Sequence, residues 1–341
     1  MTRSRLVVLS SLVVVGVGVV GALGALYLDP ARAAVGPLPA EGLALPSDTR
    51  FVLGFDVRRF VDSPFYQRFA RDRQGPGRPP AFVDLEEKTG LNPERDVDRI
   101  VVAGRGTEKG PEGGIVLASG RFDRTKLSRA IETQTKGVTT KSHGGTTVYL
   151  FREGSRRGAA AAAFLDDDTL VLGSQPSVEA TISNHAGGKA PLRANAGLVA
   201  LLEGVKPGAT FWAVGDQSVL SKLPLSLPAP GGEGASVAIP PVKSVVVTGD
   251  LDPVVALEMT GEAADARAAQ NLADVVRGLV ALASLQAGQR PELKELASAV
   301  SVTTDDTRVH VNLRVPYELL DSLAPKRPAT SSAEPSTGAG R

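Results

Sequence analysis

Histidines, aspartate runs, a glycine-rich stretch and one serine are the residues whose types could do chemistry. The three histidines, His143, His185 and His310, fall in separate elements with no i, i+4 pair. Neither a zinc-binding helix nor a base beside a carboxylate is therefore written into the local sequence. His310 alternates with Val309 and Val311, which puts it on the polar, solvent-facing side of a strand. Asp166, Asp167 and Asp168, with Asp305 and Asp306, would offer oxygen ligands to calcium. Each run sits between two alternating apolar stretches, where aspartate serves as a turn residue. Neither has the spaced D-x-D-x-D-G pattern with its distal glutamate, so both read as hairpin turns. Gly104, Arg105 and Gly106, followed by Gly110, Gly113 and Gly114, resemble a phosphate loop. Such a loop must lead into a helix, and here the next element reads as a strand. Ser174 follows Gly173 at a helix start, the position of an N-cap, and no G-x-S-x-G elbow surrounds it. The sequence thus yields no catalytic, cofactor-binding or metal-ligating residue, and the expectation is a protein without enzymatic activity or cofactor.

Charge adds little. The chain of 341 residues carries 38 basic and 37 acidic side chains, a net charge of +1. That balance gives no general pull toward nucleic acid. Arg50 to Arg78 holds seven arginines and three aspartates, while residues 84–98 hold six acids and two bases. The two segments are expected to neutralise one another on a solvated surface, although a basic patch would also hold phosphates or anionic headgroups. Cysteine is absent, which excludes disulfides, thiolate sites and a lipid-modified cysteine. Aromatics are only 4%, so the core must rest on Val, Leu, Ala and Ile. The heavy use of Ala, Gly, Pro and Arg reads as the coding bias of a GC-rich bacterium.

These residues must be positioned by the elements around them, beginning at the N-terminus. Arg3 and Arg5 precede an uncharged run from Leu6 to Leu28. Its 23 residues would form a helix of roughly 34 Å, enough to cross a hydrocarbon core of about 30 Å. The positive residues lie before the run, so the N-terminus is expected to stay cytoplasmic while the body crosses. A retained signal anchor in the bacterial inner membrane is one reading. The other is a cleaved signal peptide, since Ala31 and Ala33 form an A-x-A site, with the body released to the periplasm.

Residues 29–48 read as a flexible spacer and 325–341 as a disordered tail. Between them the expected fold class is α+β, with two duplicated lobes at 49–205 and 206–324. Each lobe is expected to be an antiparallel sheet with helices packed on one face. In the first, strands at 51–57, 100–104, 115–119 and 147–151 accompany helices at 64–71 and 123–134, a hairpin at 160–173 and a helix from Pro176. In the second, strands at 210–214, 244–248 and 255–260 precede a helix at 264–287, a hairpin ending at Val315 and a helix at 317–323. The long helix sets Leu272, Val275, Val276, Leu279, Leu282 and Leu285 on a 3.6-residue period. The run from Leu165 to Leu172 matches Thr303 to His310 in position and kind. The Pro-rich stretch 216–242 is the least ordinary, long enough to be functional or disordered.

Leu45, Pro46, Ser47, Asp48 and Thr49, running into a strand that includes Asp56, resemble the opening of a group of bacterial exported proteins of unknown function. Those proteins begin their folded part with a Leu-Pro-x-Asp-Thr stretch after an N-terminal membrane segment. The passages KTGLNPERDVDRIVVAG, FLDDDTLVLGS and NLADVVRGLVALASLQAGQRPEL resemble the same group. The resemblance implies no activity and no functional residue. The expected function is that of a membrane-tethered binding or scaffold protein of the cell envelope, with an envelope protein as partner. The alternative is a carrier or sensor of an apolar ligand held between the lobes.

Overall fold

The computed structural model describes residues 38, 40–70, 86, 87, 89–107, 110–134, 137–151, 160–220, 226–228, 236–238, 240–286 and 291–323. The span Leu6 to Leu28, the A-x-A site at Ala31 and Ala33, and the tail 325–341 lie outside the described residues. No helix among the described residues is long and apolar enough to cross a membrane.

Two apolar runs fix the centre of the molecule. Strand β1 (Phe51–Asp56) is buried on both faces from Phe51 to Gly54. After helix α1 (Val57–Asp62) and a short helix α2 (Pro93–Asp96) come strands β2 (Val97–Thr107) and β3 (Gly110–Gly120). Helix α3 (Arg124–Gln134) follows, then β4 (Val138–His143), β5 (Thr146–Phe151), β6 (Ala160–Phe164) and β7 (Thr169–Ser174). Helices α4 (Gln175–Ala186) and α5 (Ala196–Glu203) complete the first half. Strand β8 (Phe211–Asp216) opens the second half and is buried from Trp212 to Gly215. It leads through α6 (Gln217–Leu220) to a small ribbon of β9 (Ser226–Pro228) and β10 (Ser236–Ala238). Strands β11 (Ser244–Asp250) and β12 (Val255–Glu262), helices α7 (Ala266–Gln286) and α8 (Pro291–Ser298), strands β13 (Val300–Asp305) and β14 (Arg308–Val315), and helix α9 (Tyr317–Leu323) end the fold.

Twelve strands form one antiparallel sheet in the order β13-β14-β12-β11-β8-β1-β2-β3-β7-β6-β5-β4. The expectation of two sheets is corrected here. β1 pairs with β8 through Phe51–Gly215, Leu53–Ala213 and Phe55–Phe211, and this pairing joins the halves. The reason is that a strand apolar on both faces cannot end a sheet without exposing both its side chains and its unpaired backbone. β1 and β8 each cover the other's edge. Outward from this pair, both halves run in the same order: first strand, two strands, then a hairpin.

Alternation divides the core between two faces. On the front, Phe51, Leu53, Ile100, Val247 and Leu313 pack with Val57 of α1, Leu127 of α3, Leu272 of α7, Leu296 of α8 and Leu319 of α9. On the back, Val52, Val101, Val171, Trp212 and Val214 pack with Val178 and Ile182 of α4 and Leu198 of α5. Each such side chain, fully buried, contributes roughly 1.5–3 kcal/mol. Helices therefore cover both faces of the first half, where one face was expected.

The centre also stacks rings on glycines. Gly54 faces Trp212, and Gly249 faces Phe211, in adjacent strands. A Cβ on Gly54 would lie 2.1 Å from the Trp212 ring, and one on Gly249 1.9 Å from Phe211. The glycines are spaces that the aromatic rings fill.

Two helices begin in different ways. Asp123 accepts a hydrogen bond from the Lys126 backbone N–H at 3.0 Å, beginning α3. That bond, then the Lys126 side chain, holds the Asp123 carboxyl below its usual range. Ser174 occupies the N-cap position of α4, yet its hydroxyl bonds Ser177 Oγ at 2.8 Å instead of a backbone N–H.

Candidate functional site

The two halves differ most on the back of the sheet. In the first half α4 covers it, and α5 reaches across to cover β8 and β11. In the second, α9 turns to the front, where Leu319 is buried. Among the described residues, the back of β12, β14 and β13 is left as a polar surface. Its rows follow the register: Glu258 opposite Asn312 and Ser301, Thr260 opposite His310 and Thr303, Glu262 opposite Arg308 and Asp305. All of these side chains are exposed or half-buried. Glu258 lies 3.4 Å from Lys206 Nζ and 3.5 Å from Arg314 Nη2. His310 Nδ1 sits 3.0 Å from Thr260 Oγ1. Its position on the polar side of a strand follows the expected alternation.

A second cluster forms where sequence spacing gave no hint. His143, at the end of β4, lies over α4, with Nε2 2.8 Å from Ser183 Oγ and Nδ1 3.9 Å from Glu179 Oε2. Glu179 also accepts from Gln175 at 2.8 Å and Lys141 at 3.0 Å. The Gln175 bond, then the Lys141 bond, holds its carboxyl below the usual range. His185, on the same helix, lies 3.7 Å from Asp166. Local spacing suggested no carboxylate partner for these histidines; Glu179 and Asp166 reach them from separate elements of the fold.

The grouping of serine, histidine and glutamate invites comparison with nucleophile activation. Ser183 Oγ lies within hydrogen-bond reach of both the His143 ring and the Glu179 carbonyl at 3.0 Å, the i−4 acceptor of a helical serine. The contact fastens the β4–β5 hairpin to α4.

The remaining residues singled out from sequence take structural places. Asp166 accepts from the Asp168 N–H at 3.0 Å, and Asp167 meets Arg124 at 2.7 Å. Asp306 has φ +48°, the left-handed turn residue of the β13–β14 hairpin. Gly104 to Gly114 lie in β2, β3 and their connection. In the arginine-rich stretch, Arg58 meets Asp98 at 2.6 Å, and Arg68 pairs with Asp321. The acids of 84–98 thus do face those basic residues, at Asp98. The junction of the halves is filled: Trp212 and Phe51 are fully buried there.

No family model and no curated protein matches the chain. A solved structure described as crystal form IV of TP0453 is similar over 85% of this chain and 98% of its own, at 10% identity and a TM-score of 0.42.

Proposed function

We propose that the chain is a non-enzymatic binding or scaffold protein of the bacterial cell envelope. Leu6 to Leu28 tethers it to the inner membrane, with the body on the extracytoplasmic side. Its two halves descend from one duplicated unit, and the uncovered half has specialised for contact with a protein partner. One observation carries this reading: among the described residues, α4 and α5 cover the back of the sheet from the first half across to β8 and β11 and leave β12, β14 and β13 open. The open surface sets acids on β12 beside bases on β14, a pattern that selects partners by charge. The shared strand order supports duplication. So does the equivalent placement of the two Asp-containing turns, Leu165–Leu172 and Thr303–His310, in the hairpin that follows the third strand of each half. The resemblance to exported proteins with a membrane segment supports the tether.

The test is site-specific photocrosslinking in cells with the anchor intact. A photoreactive residue at Thr303 or Asn312 should give one discrete product, and the same residue at the exposed Arg129 of α3 should give none. No product from the open face, or equal products from every position, would remove the reading. The tether has its own test in the mass of the mature protein. A loss of about 33 residues at the A-x-A site would make it a soluble exported protein.

A further inference from the structure

The segment before β1 is fastened differently from the strand it leads into. It holds one helical turn, Ala40–Ala44, followed by Leu45 to Thr49. Ala44, Leu45 and Thr49 are buried. Leu45 belongs to the apolar cluster of Val178 and Ile182 on α4, Leu192, and Leu198 on α5. The turn Ala40–Ala44 packs on α4 and on a second turn, Pro191–Ala194. Main-chain bonds of the segment close on itself: the Leu45 N–H donates to Gly42 O at 3.2 Å and the Thr49 N–H to Pro46 O at 3.1 Å. Its carbonyls are held from outside by two side-chain amides. Asn184 donates from Nδ2 to Ala44 O at 3.0 Å. Asn195, the N-cap of α5, donates from Nδ2 to Ser47 O at 3.0 Å and to Thr49 O at 2.7 Å. Asp48 adds an exposed ion pair with Arg105 at 2.8 Å, of a kind that contributes little. One residue further on, the Arg50 N–H donates to Gly104 O at 2.8 Å. From Phe51 the chain is bonded to β2 and β8 together.

We infer that residues 40–49 are a lid that opens as a unit about Arg50 while the sheet stays folded. Local opening costs least where side chains, rather than backbone ladders, do the holding. Arg50 is the boundary between those two kinds of attachment. Opening lifts Leu45 off the back of the first half and leaves Val178, Ile182, Leu192 and Leu198 lining an apolar groove. It also frees residues 40–49 into the spacer, up to about 35 Å of added reach. The opening stands without the tether; the gain in reach rests on the tether proposed above. Asn195 is the closing residue. Its Oδ1 accepts the Leu198 N–H at 3.1 Å, so one amide fixes both the lid and the start of the helix beneath it. The stretch Leu45, Pro46, Ser47, Asp48 and Thr49 thereby acquires a task, with Leu45 as plug and Pro46 O closing the turn on the Thr49 hydroxyl at 2.7 Å.

The chain has no cysteine, so an introduced thiol reacts alone. Ala44→Cys places one in the lid and Ala103→Cys one in β2, both at buried alanines. The full-length variants are treated with a maleimide at rising urea, and the reaction is followed by mass spectrometry. Ala44→Cys should react about a hundred times faster than Ala103→Cys. Its rate should hardly depend on urea below the unfolding transition, whereas that of Ala103→Cys should rise steeply with it. Asn195→Asp keeps the cap acceptor but has no N–H to donate, and should speed the Ala44→Cys reaction about tenfold. Hydrogen exchange on the unmodified chain is the second measurement: the Leu45 and Thr49 amides should exchange without urea dependence and those of β1 with it. Equal rates and urea slopes for lid and sheet would overturn the inference, because the segment would then open only with global unfolding. Reaction of Ala44→Cys at the rate of an unfolded peptide would overturn it too, since the lid would never close. So would an unchanged rate in Asn195→Asp. If the lid opens as expected and the mature protein has lost its first 33 or so residues, the gain in reach alone falls.

Discussion

Replacing Gly54 by alanine should be among the most damaging single-methyl changes in this protein. The added Cβ would sit 2.1 Å from Trp212 Cε2, 2.2 Å from Nε1 and 2.5 Å from Cζ2. Ordinary carbon contacts are about 3.5–4.0 Å, so the indole must retreat by more than about 1 Å. It has nowhere to go, because Trp212 is fully buried among Val52, Val101, Val214 and Leu198. The strands cannot part either, since Gly54 and Trp212 are register partners in the pair that joins the halves. Overpacking of a tight core costs about 1–3 kcal/mol, and the rigid ring and central strands place Gly54→Ala at about 3. For a body of this size that corresponds to a fall in Tm of about 6–12 °C. The chain has one tryptophan, so its fluorescence during urea unfolding reports on this site directly. Circular dichroism on Gly54→Ala in a Trp212→Leu background then isolates the cause. If the clash is responsible, the alanine should cost about 2 kcal/mol less there. A cost below about 0.5 kcal/mol in the native background, or an equal cost in both, would refute the reasoning.

Among the described residues, Trp212 Nε1 is buried with no hydrogen-bond partner. Trp212→Phe removes that stranded donor, worth about 1–3 kcal/mol, and should therefore cost less than about 1 kcal/mol despite the lost volume, as urea unfolding followed by circular dichroism would show. Asn195 accepts from the Leu198 N–H at 3.1 Å and donates to Ser47 O at 3.0 Å and Thr49 O at 2.7 Å. Asn195→Ala loses a cap and a tie to the segment before β1 and should cost about 2 kcal/mol, while Asn195→Asp keeps the cap and recovers part of it. The carboxyl of Glu179 is held below its usual range by Gln175 and then Lys141. Its contribution is therefore present above the unfolded pKa of about 4.3 and is lost as pH falls through the lower folded value. The stability difference between wild type and Glu179→Gln should shrink on acidification from neutral pH to about 3, and a constant difference would count against the assigned contacts.

Periodicity and caps made much of the secondary structure legible. Alternation along Val309, Val311, Leu313 and Val315 marks β14, and Pro316 marks its end. The 3.6-residue stripe of α7 was also clear, but it does not show where burial stops. Leu272 is buried, Val276 and Leu282 are half-buried, and Leu285 is exposed. Strand β4 escaped notice because Val138–His143 has no apolar alternation and lies at the sheet edge with four of its six residues exposed. The single sheet was missed although its signal was present: FVLGFD and FWAVGD are unbroken apolar runs, the mark of strands covered on both faces. Read separately they looked like two first strands. That each covers the other depends on contact across about 160 positions, which no local pattern carries. The same holds for His143, Glu179 and Ser183, which meet only because a hairpin folds over a helix.

The central place of β1 has a mechanical consequence. The chain reaches Phe51 from its N-terminal side, the side of the proposed tether. β1 is bonded along its length to β2 on one flank and β8 on the other. A pull on that end acts along the strand axis, so both ladders are loaded in shear at once and no rung can be peeled singly. Force that passes into this strand is shared by both halves, but the segment before it is fastened to the first half, where Leu45 is fully buried and Asn195 donates to Ser47 O and Thr49 O, so those ties take the load first.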